Sequence, residues 1–197
     1  MKRRRLLASL GALGLTSAFA AAGWSAGSTA PFKDLGDLEK LSDVFNRDKG
    51  DIRLVTLLSP SCAYCIKGYR YVRKILEEVP DPRLKVYVVW EPMLSGDSRE
   101  LAEQMSRKTD DPRVVHQSWD GGQISGKAWQ QVLQLKGVAW DVYFLYGPDA
   151  TWSANGPTRP DYWEHQGQSS RDNWLNYKTL KGKVEELLSR PADASRS

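Results

Sequence analysis

Ile52-Arg53-Leu54-Val55-Thr56-Leu57-Leu58-Ser59-Pro60-Ser61-Cys62-Ala63-Tyr64-Cys65 is the stretch on which the reading of this chain turns. Residues 52–58 make an apolar run of strand length, the pattern of a strand buried on both faces. Ser59-Pro60-Ser61 breaks it. Beyond the break Ile66, Tyr69, Val72, Leu76 and Val79 recur at helical spacing, until Pro80-Asp81-Pro82 stops the helix. Cys62 and Cys65, the two cysteines of the chain, therefore stand where a strand turns into a helix. Backbone N–H groups and the positive end of the helix macrodipole face the first sulfur there. They favour its thiolate, the form that attacks disulfides and binds metals. A CxxC loop restricts the unfolded chain little, so a purely stapling disulfide has small value here.

Working outward, Leu84-Lys85-Val86-Tyr87-Val88-Val89-Trp90 is a second buried strand, ended by Glu91-Pro92. Strand, helix, strand over this distance is a right-handed unit with parallel strands. Upstream, Leu35, Leu38, Leu41 and Phe45 mark a helix ending near residues 46–50. Downstream come a polar helix over about 98–108 and a short strand over 114–119, closed by Asp120-Gly121-Gly122. Ala128, Val132 and Leu135 mark a further helix capped by Gly137. Residues 140–146, the turn 147–150 and Thr151-Trp152 read as a hairpin, 153–170 as loop, and 171–189 as a final helix with Tyr177, Leu180, Val184 and Leu187 on one face. The whole is one α/β domain over residues 31–190, a central mixed β-sheet flanked by helices.

The first thirty residues form a leader. Met1-Lys2-Arg3-Arg4-Arg5, the apolar Leu6 to Ala22 and the small residues around Ala18-Phe19-Ala20 have the build of a cleaved signal peptide, and Arg3-Arg4-Arg5-Leu6-Leu7 fits the twin-arginine pattern. Such a leader places the domain in the periplasm or another extracytoplasmic space, with no stable membrane insertion after cleavage. Residues 191–197 read as a frayed tail. The formal net charge is +4, and four basic residues with no acidic one lie in the leader; +4 − 4 leaves the remainder near zero. That balance gives no case for nucleic-acid binding. The sequence contains no P-loop and no HExxH zinc motif.

Helix, strand, CxxC, helix, strand, helices, hairpin and terminal helix is the order of a thioredoxin-like domain, which the chain resembles across about Asp34 to Ser189. Cys62-Ala63-Tyr64-Cys65 is similar to the CPYC of glutaredoxins. Ser61 to Gly68, Val88-Val89-Trp90-Glu91-Pro92 and Ser118-Trp119-Asp120 are similar to a group of bacterial thioredoxin-domain proteins. The resemblance implies thiol–disulfide oxidoreductase activity without a cofactor. Cys62 would be the exposed attacking thiol and Cys65 the buried resolving one. The substrates would be protein or small-molecule disulfides or thiols, with an electron-donor or acceptor protein as partner. Two positions depart from the pattern. Ala139, in Gly137-Val138-Ala139-Trp140, stands where thioredoxins carry a cis-proline, so a trans peptide is expected. Thr56 stands where they bury an acid that exchanges a proton.

Glu91, at the carboxyl end of its strand, is the candidate replacement for that acid. Tyr64, Ala139 and Trp140 are candidate site-lining residues. Trp90 reads as core or site wall, and Asp120 as a turn starter or site acid. Two further readings use the same residues. Cys62 and Cys65 with His165 or His116 would suit Cu(I), in the manner of Sco-type copper chaperones. A non-catalytic binding module would use the aromatic stretch from Trp152 to Trp174.

Overall fold

In the computed structural model, residues 30–153, 156–167 and 171–190 are described; residues 1–29 of the expected leader and the expected tail lie outside them. The apolar run forms strand β2 (Ile52–Leu58), and the CxxC opens helix α2 (Ala63–Glu78) directly after it. Strand β3 (Leu84–Trp90) lies parallel to β2 in unbroken register from Ile52 opposite Leu84 to Leu58 opposite Trp90. Helix α3 (Arg99–Ser106), capped by Ser98, leads to β4 (Val114–Trp119), which pairs parallel to β3. On the other side of β2, strand β5 (Val142–Tyr146) runs antiparallel, and β6 (Tyr162–His165) pairs antiparallel to it. A short strand, Phe32–Asp34 (β1), pairs parallel to β4 and completes the order β1-β4-β3-β2-β5-β6. Three residues are too few for periodicity to reveal, so β1 was not legible in the sequence.

The period-two alternation of β2 divides the core. Ile52, Leu54 and Leu58 join the apolar residues of α2, α3 and the terminal helix α5 (Tyr177–Ser189). Val55 and Leu57 face Leu41 and Phe45 of helix α1 (Leu38–Arg47) and Trp129 of helix α4 (Ile124–Leu133). The sheet is thus covered on both faces, which sets the CxxC at the carboxyl ends of parallel strands, the edge where open α/β sheets bind ligands. The fold is thioredoxin-like. Arg53, an ion inside the apolar run, is fully buried; its guanidinium donates to the carbonyls of Asp48, Asp51, Pro148 and Ala150. Those four acceptors, all on its two terminal nitrogens, offset the charge that burial would otherwise penalise, while Nε has no partner.

Three expected elements differ. The partner of β5 is Tyr162–His165, inside the stretch read as loop, and Thr151-Trp152 is not its return strand. Trp152 instead leaves the sheet to stack on Phe45, ring centroids 3.8 Å apart, and meets Trp129 and Tyr146 edge-on. Asn46 satisfies the backbone there, accepting from Trp152 N and donating to Trp152 O. Burial of that indole outweighs a two-residue ladder. Helix α4 ends at Leu133 with Gln134, not Gly137, in the left-handed conformation, and it buries Ser125, Gly126 and Trp129. Helix α5 starts at Tyr177, where Asn176 caps it, because Asn173 and Leu175 are spent on bonds to His165.

Candidate active site

Helix α2 begins with Cys62 as its N-cap. Its Sγ accepts the N–H of Cys65 at 3.4 Å, and its extended backbone (φ −75°, ψ 121°) turns the chain from strand into helix. Both cysteines are free thiols. Cys62 is more covered than the resemblance implies, at 6% exposure against 0% for Cys65, because both pack into the core cluster of α2. The order of accessibility still puts Cys62 outermost. Ala63 and Tyr64 are the exposed members of the tetrapeptide, Tyr64 at 59%. Burial, and then the nearby charge of Asp141, push the Cys65 thiol far above its ordinary pKa.

The acid beside these thiols is Asp141, which sequence reading left inside the β5 stretch. One carboxylate oxygen of Asp141 and the two sulfurs all lie within 4.8 Å of one another. Asp141 is buried and sits in the left-handed region at φ 53°, immediately before β5, one residue beyond the Leu57–Val142 pair. Its Oδ1 accepts the phenol of Tyr143 at 2.9 Å and the amide of Gln166 at 3.2 Å, and one of its carboxylate oxygens lies within 4.8 Å of Cys65 Sγ. Burial raises the Asp141 pKa; the hydrogen bonds from Tyr143 and Gln166 oppose that rise without cancelling it. Gln166 Nε2 also donates to Tyr64 O at 2.9 Å, tying the CxxC turn to the same carboxylate. The sequence signal was available: an ionisable residue at the entry of an otherwise apolar strand.

Two further carboxylates hold the surrounding loops. Asp97 closes the turn before Cys62. Its Oδ1 accepts from Ser61 N (2.9 Å) and Ser61 Oγ (2.6 Å), and its Oδ2 from Met93 N (2.8 Å) and Leu94 N (2.7 Å), with Ser59 Oγ within 2.9 Å of both oxygens. These hydrogen bonds lower its pKa against the opposing effect of partial burial. Asp97 immediately precedes the helix expected over about 98–108, and nothing local marks it as a clamp.

Glu91, the expected proton acceptor, is instead enclosed in a separate cluster. Its Oε1 accepts from Ser125 Oγ (2.8 Å) and Gly126 N (2.7 Å), while Asp120 Oδ2 lies 2.6 Å from the same hydroxyl and 2.7 Å from Ser125 N. Burial, with the charge of Asp120 adding to it, pushes Glu91 up to about 8 despite the hydrogen bond from Ser125. Asp120 is thus a buried partner of Glu91 and more than a turn starter. The cluster reaches the site through the backbone: Gly126 O accepts Ala139 N at 3.1 Å. A Cβ on Gly126 would lie 2.8 Å from Ala139 O and 2.9 Å from Glu91 Oε1, so this approach requires glycine.

The described peptide bonds are all trans, including the one before Ala139. Ala139 is buried in the second core cluster, whereas Trp140 is half-buried against the cluster holding both cysteines. Trp90 is core, edge-on to Tyr69 at 5.2 Å. Neither histidine joins the thiols among the described residues. His116 lies buried on β4 with its Nε2 2.9 Å from Ser118 Oγ, and His165 on β6 has its Nε2 2.9 Å from Asp172 O. The third group beside the sulfurs is a carboxylate, a hard donor, not the imidazole the copper reading needs.

Strand order, helices on both faces and a free dithiol at the β2–α2 junction define a thioredoxin-like domain with a CxxC site. No protein-family model and no curated protein matches the sequence. Among solved structures, a putative thioredoxin from Neisseria meningitidis is 15% identical with a TM-score of 0.49, over 77% of this chain and 85% of that one. A putative thiol:disulfide interchange protein DsbE from Chlorobium tepidum is 13% identical with a TM-score of 0.47, over 73% and 84%. A secreted Mycobacterium tuberculosis disulfide oxidoreductase is 10% identical with a TM-score of 0.42, over 72% and 86%. No helix among the described residues is long and apolar enough to cross a membrane.

Proposed function

We propose that the chain is an exported thiol–disulfide oxidoreductase working through Cys62 and Cys65. The observation that carries this reading is the placement of the two free thiols. Cys62 caps α2 with its sulfur on the Cys65 N–H, and Cys65 lies wholly buried a turn inside. In the direction that reduces substrate, the Cys62 thiolate attacks a substrate disulfide, forming one mixed disulfide and expelling one thiolate. The Cys65 thiolate then attacks the Cys62 sulfur, closing the Cys62–Cys65 disulfide and releasing the second substrate thiolate. Two electrons pass from the dithiol to the substrate, and the reverse sequence oxidises a substrate dithiol. Protein thiols and disulfides are the proposed substrates, with a separate redox protein restoring the pair. The basic head and apolar stretch of residues 1–22 support export.

The test is the reduction potential of the pair, read by alkylation and mass after equilibration in glutathione buffers, together with trapping by Cys65→Ser. A reversible potential between about −120 and −270 mV is expected, the range of working oxidoreductases. The serine variant should retain covalent partners that the Cys62→Ser variant does not. A disulfide resistant below about −300 mV would make the pair structural, and failure to form a disulfide would return the cysteines to a metal role.

A further inference from the structure

A fully buried thiol is a poor nucleophile, because the thiolate is the attacking form and burial disfavours it. For Cys65 to attack the mixed disulfide, its proton must leave to a group inside the protein or wait for water to enter. Neither Thr56, which stands at the position of the usual acid, nor Glu91, its expected replacement, takes that role. Thr56 Oγ1 is buried against Tyr87 O at 3.4 Å, and Glu91 is committed to Ser125 and Gly126. Among the described residues, Asp141 is the carboxylate beside Cys65, with an oxygen within 4.8 Å of its Sγ.

We propose that Asp141 is the proton acceptor and donor for Cys65 during closure and opening of the disulfide. The inference rests on the exchange reading above and adds a catalytic residue to it. In the closing step the Cys65 S–H proton passes to the Asp141 carboxylate. The thiolate electron pair then forms the S–S bond to Cys62, and the bond from Cys62 to substrate sulfur breaks. The released substrate thiolate takes up a proton, from Asp141 or from water. Opening runs in reverse, with Asp141 returning the proton to Cys65.

The surroundings are built to hold the carboxylate there. Asp141 keeps a left-handed backbone that β-branched and bulky residues avoid. Tyr143 and Gln166 fix its Oδ1. Room for the Tyr143 hydroxyl exists because α2 has Gly68 three residues after Cys65; a Cβ there would fall 1.7 Å from it. The titratable groups facing Asp141 are the thiols of Cys62 and Cys65 from α2 and the phenol of Tyr143 from β5. Burial moves the acid toward the thiol range, which narrows the gap the proton must cross.

The test uses the reduced chain and Ellman's aromatic disulfide in stopped flow. The first thionitrobenzoate released reports attack by Cys62, and the second reports resolution by Cys65. Asp141→Asn keeps the side-chain shape and tolerates the left-handed backbone. It should lower the ratio of second-phase to first-phase rate by about tenfold or more near neutral pH. The deficit should close at alkaline pH, where hydroxide removes the Cys65 proton. An unchanged ratio, or a deficit equal at every pH, overturns the proposal. A wild-type chain with no second phase would instead sink the oxidoreductase reading itself. If Asp141→Asn loses its near-ultraviolet circular dichroism, Tyr143→Phe decides the matter. Losing the phenol's hydrogen bond raises the acid's pKa, so the acid limb of the second phase should move to higher pH. An unmoved limb overturns the proposal.

Discussion

Replacing Gly68 by alanine puts two physical effects in direct opposition at the candidate site. On helix propensity alone the change is favourable by up to about 1 kcal/mol, since glycine in a helix interior is disfavoured. Packing says the reverse. An alanine Cβ would lie 1.7 Å from Tyr143 Oη, 2.4 Å from Tyr143 Cζ and 3.0 Å from Leu175 Cδ2. Tyr143 is fully buried in β5, which pairs with β2 and β6 on its two sides, so its ring cannot swing into solvent. Overpacking of this kind costs about 1–3 kcal/mol. A displaced phenol also abandons Asp141, adding about 1–3 kcal/mol for a buried polar group left unpaired. Subtracting the propensity gain leaves a net loss of roughly 1–5 kcal/mol, with about 2–3 kcal/mol the central expectation. Urea unfolding should show a lower midpoint at unchanged slope. The double variant Gly68→Ala with Tyr143→Phe should recover part of the loss, because the oxygen nearest the new methyl is gone. A Gly68→Ala protein as stable as the parent, or more stable, would refute the reasoning and leave Gly68 as an ordinary helical glycine.

Two further predictions concern the carboxylates that hold the loops. Glu91 has a folded pKa raised from 4.5 to about 8, so the folded state holds its proton over a range where the unfolded chain has lost it. The stability it contributes is present below about pH 4.5 and falls as pH rises through about 8. Glu91→Gln, which keeps the acceptor for Ser125 and Gly126, should flatten that decline in thermal unfolding followed from pH 5 to pH 8; an unaltered pH profile would show that Glu91 is ionised throughout. Asp97 has the opposite sign, with a lowered folded pKa. Its contribution is present above the unfolded carboxylate range and is lost as pH falls through the folded value. Asp97→Ala should cost about 1–3 kcal/mol at neutral pH and weaken the acid dependence of unfolding, while equal acid sensitivity in both proteins would remove the clamp.

Local pattern was enough for β2, α2, β3, α3 and β4, because each carries a long apolar periodicity or a strong stop signal. Glu91 and Trp140 were named as candidates from strand order, and Ala139 from its place at the cis-proline position of the thioredoxin resemblance. Strand order puts residues at the same sheet edge but does not say which side chain turns inward. Asp141 and Gln166 lie more than seventy residues from Cys65 in sequence, and their meeting with Tyr64 and Cys65 depends on β5 and β6 closing on β2. The β5–β6 pairing was missed because Trp152 looked like a returning strand; its attraction to Phe45 is a contact across α1 that no local window contains.

By itself the sequence determined that a dithiol stands at the start of a helix behind a buried parallel strand. That follows from hydrophobic period, proline breaks and the spacing of two cysteines, all short-range properties of the chain. Tertiary structure alone decided which acid lies beside the thiols. A carboxylate acts on a buried sulfur only from close by, and the proximity of Asp141 to Cys65 is set by the register of β5 against β2 and by the space Gly68 leaves for Tyr143.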